Sequence, residues 1–444
     1  MVILGLGSNL GDKLTHLRRA LALLKKIPGF SIAQISPVYI SDALVPENAP
    51  LAWDAPYLNL ALRGETTLSP YELLDHLKEI EKKVGRTPEK VWGPRIIDID
   101  LLAWDDRIQY DKKLHIPHEH LAERPFALWP LADVAPFWIY PLSGPDHGKL
   151  ASRITEKWGS RFDGRAPFHT RQIAQRIDTP ALVGIINSTP DSFSDGGKYT
   201  ASLSAKNYAR QVMIEGAEII DVGAEATHPN AKAILAGEEW QRLEPILTEI
   251  LFDKKNHPIQ PKISVDTRHV ETAKKALELG VDWINDVSGL ENPLMCKLIA
   301  EHSCDIVMMH HLGIPANKAV TLPPNQHPVE QIFQFAKKRL ADVSRFGISP
   351  ERIIFDVGIG FGKTTEQSLL LLKEIKRFHE LGLRLLVGHS RKSCISQFTD
   401  EPFERRDIET AALSLQLAKQ NVHYLRVHHI EMHARLFKVM ETMP

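Results

Sequence analysis

The spacing of apolar residues divides the chain into two regimes. In the first, up to residue 158, short apolar runs alternate with one-sided helical patterns. VILGLGSN reads as a strand closing in a Gly-Ser-Asn turn. Asp12 to Lys26 repeats its leucines at helical spacing and is stopped by Pro28 and Gly29. FSIAQISPVYI, YLNLALRGET and IIDIDLLAW read as further strands. Between the last two, Pro70 to Val84 has Pro and Glu in its first turn and a Gly just past its end, the marks of a helix start and stop. In IIDIDLLAW the period of two puts Ile97, Ile99 and Leu101 on one face. Asp98 and Asp100 share the other, about 6.6 Å apart along the strand. Two carboxylates on one face repel unless they are protonated, solvated or holding cations.

From Pro141 to Arg176 the texture changes to Gly, Pro and charge, with a short amphipathic piece near Ile154 to Trp158. This divides the chain into a domain over 1–158, a linker over 159–176 and a second domain over 177–444. In the second domain eight continuous apolar runs end abruptly in polar residues: LVGIIN, EIIDVG, KISVDT, WINDVS, DIVMMH, IIFDVG, RLLVGHS and YLRVHH. Helical segments separate them. Buried parallel strands alternating with helices, eight times over, predict a (β/α)8 TIM barrel, with an open doubly wound sheet as the alternative. In a barrel the strand ends share one mouth, so Asn187, Asp221, Asp266, Asn285, His310, Asp356, Lys392, Arg426 and His428 would converge there.

Composition narrows the partners. Lys plus Arg number 54 against 55 Asp plus Glu, so nothing global draws the chain to nucleic acid or an anionic membrane surface. Cys296, Cys304 and Cys394 form neither a disulfide framework nor a C-x-x-C metal site, which favours a reducing cytoplasm. The N-terminus has no signal-peptide pattern, and no apolar run approaches the ~20 residues needed to cross a bilayer. GIGFGKTT resembles a phosphate-binding loop, but the spacing requires Gly at 357 and Val357 stands there.

Asp98 and Asp100 lie in WGPRIIDIDLL, with Arg86, Arg95, His118 and Arg124 nearby. Paired aspartates suit Mg2+, which prefers carboxylates plus substrate phosphates, and arginines suit the charge of a phosphoryl group in transit. WGPRIIDIDLL, GLGSNLG, YLNLAL and PHEHLAERPFALWPLADVAP together resemble 6-hydroxymethyl-7,8-dihydropterin pyrophosphokinase across nearly all of residues 1–158. The resemblance implies a ferredoxin-like α+β fold and transfer of pyrophosphate from ATP to the pterin hydroxymethyl group. It makes Asp98 and Asp100 ligands of two Mg2+ ions and Arg95 part of the catalytic set. Arg86, Trp92, Arg95, His118 and Arg124 become contacts to ATP, and Leu44, Tyr57, Asn59 and Phe126 the pterin pocket. The chain departs from the pattern at Val91, where many relatives carry a basic residue, and at Glu119, where an aromatic is frequent.

In the second domain GIINSTPDSFSDGG, ISVDT, INDVSGL, FDVGIGFGK, VGHSRKS and LRVHH, in that order, resemble dihydropteroate synthase. The resemblance implies attack of the p-aminobenzoate amine on the methylene carbon of the pterin pyrophosphate, with pyrophosphate leaving. Asp266, Asn285, Asp356 and Lys392 would hold the pterin. Asn187, with one Mg2+, would hold the pyrophosphate together with Arg426 and His428, read as a basic pair. Thr227, Phe361 and Ser393 would flank p-aminobenzoate, with Lys392 and Arg426 in the catalytic set. Pairing of two copies through the barrel helices is also implied. Ala226, His228 and His429 depart from the pattern. A neutral His cannot duplicate a permanently charged Arg, so His228 is expected to alter kinetics or sulfonamide response.

The reading is a bifunctional enzyme of folate synthesis whose first product is its second substrate. One competing reading keeps a single live domain with the other as a scaffold. Another makes the barrel an aldolase-type enzyme, which would want a Schiff-base Lys within a strand, whereas Lys392 follows one.

Overall fold

A computed structural model describes the chain except residues 47, 49, 51–52, 88–92, 174–176, 178, 189–197, 226–232, 257–259, 318 and 443–444. It divides into two units, Met1–Asp178 and Thr179–Met443.

The first unit contains β1 (Val2–Ser8), α1 (Lys13–Leu24), β2 (Phe30–Ile35), β3 (Tyr39–Ser41), β4 (Tyr57–Thr66), α2 (Pro70–Val84), β5 (Asp98–Trp104), the two-residue strands β6 (Gln109–Tyr110) and β7 (His115–Ile116), α3 (Pro125–Val134), α4 (Ala151–Thr155) and β8 (Arg171–Gln172). Its main sheet is antiparallel and runs β5-β1-β4-β3-β8, with β2 also on β4. With helices packed on its faces, this is the expected ferredoxin-like α+β arrangement. FSIAQISPVYI is two strands because the chain breaks at Ser36 and Pro37. Ser36 Oγ accepts from Ala61 N at 2.9 Å, and Pro37 has no N–H for the ladder. α2 begins with a reciprocal cap, in which Ser69 Oγ accepts from Glu72 N and the Glu72 carboxylate accepts from Ser69 N. α3 was not apparent in the sequence, since Pro130 lies inside it and argues against a helix. The helix holds because Leu128 and Leu131 pack with Ile3, Leu102 and Trp138 in one buried cluster.

The stretch read as a linker is partly built into this unit. β8 pairs with β3, Arg161 is ion-paired to Asp133, and Phe168 packs edge-on to Phe126 with ring centroids 5.4 Å apart. Satisfying the open edge of β3 gives those residues a fixed place.

The second unit is a closed barrel of eight parallel strands, and all eight apolar runs are its strands. In chain order they are β9 (Ala181–Asn187), α5 (Lys198–Ile214), β10 (Ile219–Gly223), α6 (Ala236–Asn256), β11 (Lys262–Asp266), α7 (Val270–Leu279), β12 (Trp283–Asp286), α8 (Pro293–Glu301), β13 (Asp305–Met309), α9 (Pro328–Ser344), β14 (Ile353–Asp356), α10 (Thr365–Lys373), β15 (Arg384–Val387), α11 (Asp407–Lys419), β16 (Tyr424–Val427) and α12 (Ile430–Thr442). Trp283 plugs the interior with Val183, Ile219, Val307, Ile354 and Leu386, against the edge of Tyr424. With the interior filled, polar side chains at the strand ends face the mouth rather than a pore. The three cysteines are free and buried. Among the described residues no helix is long and apolar enough to cross a membrane.

Candidate active sites

In the first unit β5 carries out the expected division of faces. Ile99 and Leu101 are buried, and Ile99 N donates to Glu81 of α2 at 2.8 Å, while Asp98 and Asp100 line a cavity on the opposite side. The register pairs Gly7 with Asp98 and Gly5 with Asp100. A Cβ on Gly7 would stand 3.2 Å from Asn59 Oδ1, so a bare backbone here keeps the floor of the cavity open. The cavity measures about 330 Å3 and also presents Leu44, Tyr57, Asn59, Arg95, His118, Arg124 and Phe126. A second cavity of about 340 Å3 holds Lys78, Lys112, Lys113 and His115. The two share Asp100, His118 and Arg124.

The carboxylates are not equivalent. Burial alone would raise Asp98, but Arg95 and Arg86 outweigh it and hold the group below the ordinary carboxylate range. Arg86 donates to Asp98 at 2.6 Å and is equally close to the buried Glu81, and Arg95 is ion-paired to the other Asp98 oxygen. Asp100 is raised by burial and then by the charge of Asp98, with His118 at 3.9 Å as a weak counterweight. Two half-buried carboxylates that repel each other above a cavity, with spare lone pairs, fit divalent cations.

The turn after β1 organises the rim. Asn9 Oδ1 accepts from Arg95 N at 2.7 Å, its backbone N–H donates to Arg95 O at 3.1 Å, and its amide nitrogen donates to Ala55 O at 3.2 Å. Ser8 Oγ donates to Ile96 O at 2.6 Å. One Ser-Asn pair thus fixes both the arm bearing Arg95 and the segment leading to Tyr57. Asn59 is buried and donates to Ser41 Oγ at 3.0 Å. Arg86, read as an ATP contact, meets Glu81 and Asp98 through Nη1. Trp92 and Val91 lie outside the described residues.

In the barrel a hydrogen-bonded network joins four strands. Arg426 Nε donates to Asp221 at 2.6 Å and its Nη2 to Asp266 at 3.0 Å. Asn285 Nδ2 donates to Asp221 at 3.1 Å and Ser264 Oγ to Asp221 at 2.6 Å. Asp266 is pushed up to about 7 by burial and then by the charge of Asp221, against the pull of Arg426. Asp356 accepts from Gly358 N at 2.8 Å and is raised by burial. Burial and then Arg426 lower Lys392, whose ammonium sits 4.8 Å from the centre of the Phe361 ring.

Two residues gain roles the sequence did not disclose. Asp221 belonged to the predicted polar ring without a function, and it is the hub of the network. Lys363, in the rejected phosphate-loop motif, buries its ammonium against His310 Nδ1 at 2.8 Å, Phe361 O at 2.9 Å and His310 O at 3.2 Å. Burial lowers its pKa to about 7. The glycines around it serve close approach, since Gly358 has φ of +67° and a Cβ there would lie 2.0 Å from His310 O.

The reading of Arg426 and His428 as a basic pair is corrected. Burial, then the charges of Arg391 and Arg426, lower His428 to about 3, so it is neutral at pH 7. Ser390 Oγ accepts from His428 N at 3.3 Å and lies 2.9 Å from Nδ1. The hydroxyl can meet Nδ1 as donor or as acceptor, according to which ring nitrogen carries the proton. Asn187 is exposed at the end of β9, Phe361 is buried, and Ser393 is exposed after Lys392. Thr227, Ala226 and His228 lie outside the described residues. His429 precedes α12, its Nδ1 accepting from Met432 N at 3.4 Å and its carbonyl from His433 Nδ1 at 2.8 Å.

Comparison with known proteins agrees with this division. Residues 3–136 match the family 7,8-dihydro-6-hydroxymethylpterin-pyrophosphokinase, and residues 183–428 match the pterin binding enzyme family. A folate synthesis bifunctional protein of Chlamydia caviae is 35% identical over 443 residues, covering 98% of this chain and 96% of its own length. A mitochondrial folate synthesis bifunctional protein of Arabidopsis thaliana is 33% identical over 470 residues, covering 100% of this chain and 83% of its own. Among solved structures, dihydropteroate synthase from Anaplasma phagocytophilum with bound 6-hydroxymethylpterin-monophosphate is 36% identical with a TM-score of 0.55, covering 60% of this chain and 100% of that one. Dihydropteroate synthase from Xanthomonas albilineans with 4-aminobenzoic acid is 32% identical with a TM-score of 0.55, covering 60% and 95%. The chain belongs to the bifunctional folate synthesis proteins, in which a hydroxymethylpterin pyrophosphokinase and a pterin-binding dihydropteroate synthase share one polypeptide.

Proposed function

We propose that the residues described above divide two consecutive reactions between them. The first unit moves pyrophosphate from ATP to 6-hydroxymethyl-7,8-dihydropterin, and the barrel condenses the pterin pyrophosphate with p-aminobenzoate to give 7,8-dihydropteroate. The observation that carries the first assignment is the meeting of two cavities at Asp100, His118 and Arg124. One cavity suits a flat heterocycle, with Asn59 to pair its edge and Leu44, Tyr57 and Phe126 to cover its faces. The other is lined with cations and suits a polyphosphate. Arg95 and Arg86 keep Asp98 ionised, and Asp98 and Asp100 would together hold two Mg2+ ions. Bound there, the ions would neutralise phosphate charge and align the entering and leaving oxygens. The pterin hydroxymethyl oxygen forms a bond to the β-phosphorus while the bond to the α-phosphate oxygen breaks, releasing AMP. Arg124 and His118 stabilise charge at the junction.

In the barrel Asp266, Asn285 and Asp356 offer acceptors and donors to the pterin edge, and Lys392 donates to it from above Phe361. As the methylene C–O bond breaks and the C–N bond to p-aminobenzoate forms, the departing pyrophosphate carries the growing negative charge. Arg426 uses Nε and Nη2 on Asp221 and Asp266, and its remaining N–H donors, which meet no partner among the described residues, can serve that charge beside neutral His428. Asn187 supplies one neutral oxygen, which suits a Mg2+ ion held chiefly by pyrophosphate. Ser393 and Thr227 would border p-aminobenzoate.

Supplied with ATP, Mg2+, 6-hydroxymethyl-7,8-dihydropterin and p-aminobenzoate, the protein should release AMP and then form dihydropteroate. AMP without dihydropteroate, even when pterin pyrophosphate is added directly, would defeat the second assignment.

A further inference from the structure

At the start of the second barrel crossover, outside the pterin network, three potential ligands converge. Glu225 follows β10, Glu239 lies in the first turn of α6, and His269 caps α7. One ligand atom from each lies within 4.8 Å of the other two. Glu239 is fully buried. Its Oε2 accepts from Thr267 Oγ1 at 2.6 Å, while its Oε1 is buried with no hydrogen-bond partner among the described residues. The neighbouring Thr272 hydroxyl is turned to Ala236 O at 3.4 Å. His269 Nε2 is likewise buried with no hydrogen bond among the described residues, 3.9 Å from Glu225 Oε2. Glu225 Oε1 accepts from Arg268 Nη2 and from Ile234 N, but among the described residues Oε2 accepts from Arg268 Nε alone, which leaves one of its lone pairs open toward the imidazole.

We infer that Glu225, Glu239 and His269 form a binding site for a divalent transition-metal cation of the zinc class, separate from the magnesium chemistry of the two reactions. The donor set decides the class. Two carboxylate oxygens and an imidazole nitrogen suit Zn2+, Co2+ or Mn2+, whereas Mg2+ prefers oxygens throughout. Bonds of about 2.0–2.1 Å to a tetrahedral ion place ligand atoms about 3.4 Å apart, so the cluster closes by side-chain rotation of about an ångström. With the His269 proton on Nδ1, a water could donate only two protons to the three open lone pairs, whereas a cation satisfies all of them. Bound there, the ion ties β10, α6 and α7 together three residues beyond Asp266, fixing the end of the strand that carries this pterin contact.

The test is titration of metal-depleted full-length protein with Co2+ in a large excess of Mg2+, which occupies all-oxygen sites. Wild type should take up one equivalent with the visible absorption of a nitrogen-ligated, low-coordinate ion, and Zn2+ should displace it and raise the melting temperature. His269→Gln and Glu239→Gln should each weaken that equivalent at least tenfold and abolish the thermal shift, while Asp98→Asn retains both. Far-UV circular dichroism checks that the variants fold, and His269→Gln, which alters a partly exposed side chain, serves if Glu239→Gln does not. Either no Co2+ uptake by wild type under excess Mg2+, or His269→Gln binding Co2+ as wild type does, would overturn the inference.

Discussion

Asp98 and Asp100 differ by two positions and by their neighbours, and that difference gives them separate tasks. Asp98 is bound by two arginines and stays ionised, while Asp100 faces the cavity junction with His118 3.9 Å away. Asp98→Asn is expected to leave Arg86 and Arg95 in mutual repulsion and to lower AMP formation on the order of a hundredfold or more. Condensation of added pterin pyrophosphate should be unchanged, and a coupled AMP assay beside dihydropteroate detection measures both. In the barrel the two lysines of the mouth separate in the same way. Lys392 reaches the ligand side, and Lys363 ties His310 to the Phe361 carbonyl. Lys363→Met should cost about 1–3 kcal/mol, read as a lower denaturant midpoint, because two buried carbonyls lose their donor. Lys392→Met should hold its midpoint and raise the KM for pterin pyrophosphate. The sequence distinguished neither role of Lys363, because a Gly-rich segment before a Lys looks the same whether the glycines cradle a ligand or admit a neighbouring carbonyl.

At the scale of elements, strands were more legible than the segments between them. Period two in IIDIDLLAW and continuous apolar runs in the barrel follow directly from which faces are buried, and both survive in the structure. α3 and β8 did not show, since one contains a proline and the other takes its place only by pairing with the edge of β3. The positions in the polar ring were readable from the abrupt endings of the strands. The hydrogen bonds that make Asp221 its hub were not, because they depend on barrel closure bringing β16 beside β9 and across from β10. The turn after β1 carries a similar hidden function. Asn9→Ala removes bonds to two separate segments and should cost about 1–2 kcal/mol. It should also raise the kinase KM for the pterin more than it lowers kcat, which steady-state kinetics at saturating ATP would resolve.

For the whole molecule, buried neutral histidines in the barrel lower stability in acid, against buried carboxyls such as Asp266 whose raised pKa acts in the opposite sense. Burial lowers His389 from 6.5 to about 4 and His428 from 6.5 to about 3. Between those values and 6.5 the unfolded chain binds more protons than the folded one, so this stability is present above pH 6.5 and is lost as pH falls toward 4. His389→Asn should flatten the decline in denaturant midpoint over that window, measured against wild type at each pH. The two-domain division was legible because the apolar texture changes between the halves, although the intervening stretch is partly built into the first unit. Two sites on one chain, joined by a product that is also a substrate, should act as chemically independent centres. The most direct test gives Asp98→Ala and Asp266→Ala the same mixture of ATP, Mg2+, 6-hydroxymethyl-7,8-dihydropterin and p-aminobenzoate, and follows AMP and dihydropteroate together. Asp266→Ala should make AMP at the wild-type rate with no dihydropteroate, and Asp98→Ala should make neither until pterin pyrophosphate is added, when dihydropteroate appears. Loss of AMP formation in a folded Asp266→Ala protein, or no recovery of dihydropteroate by Asp98→Ala, would contradict that independence.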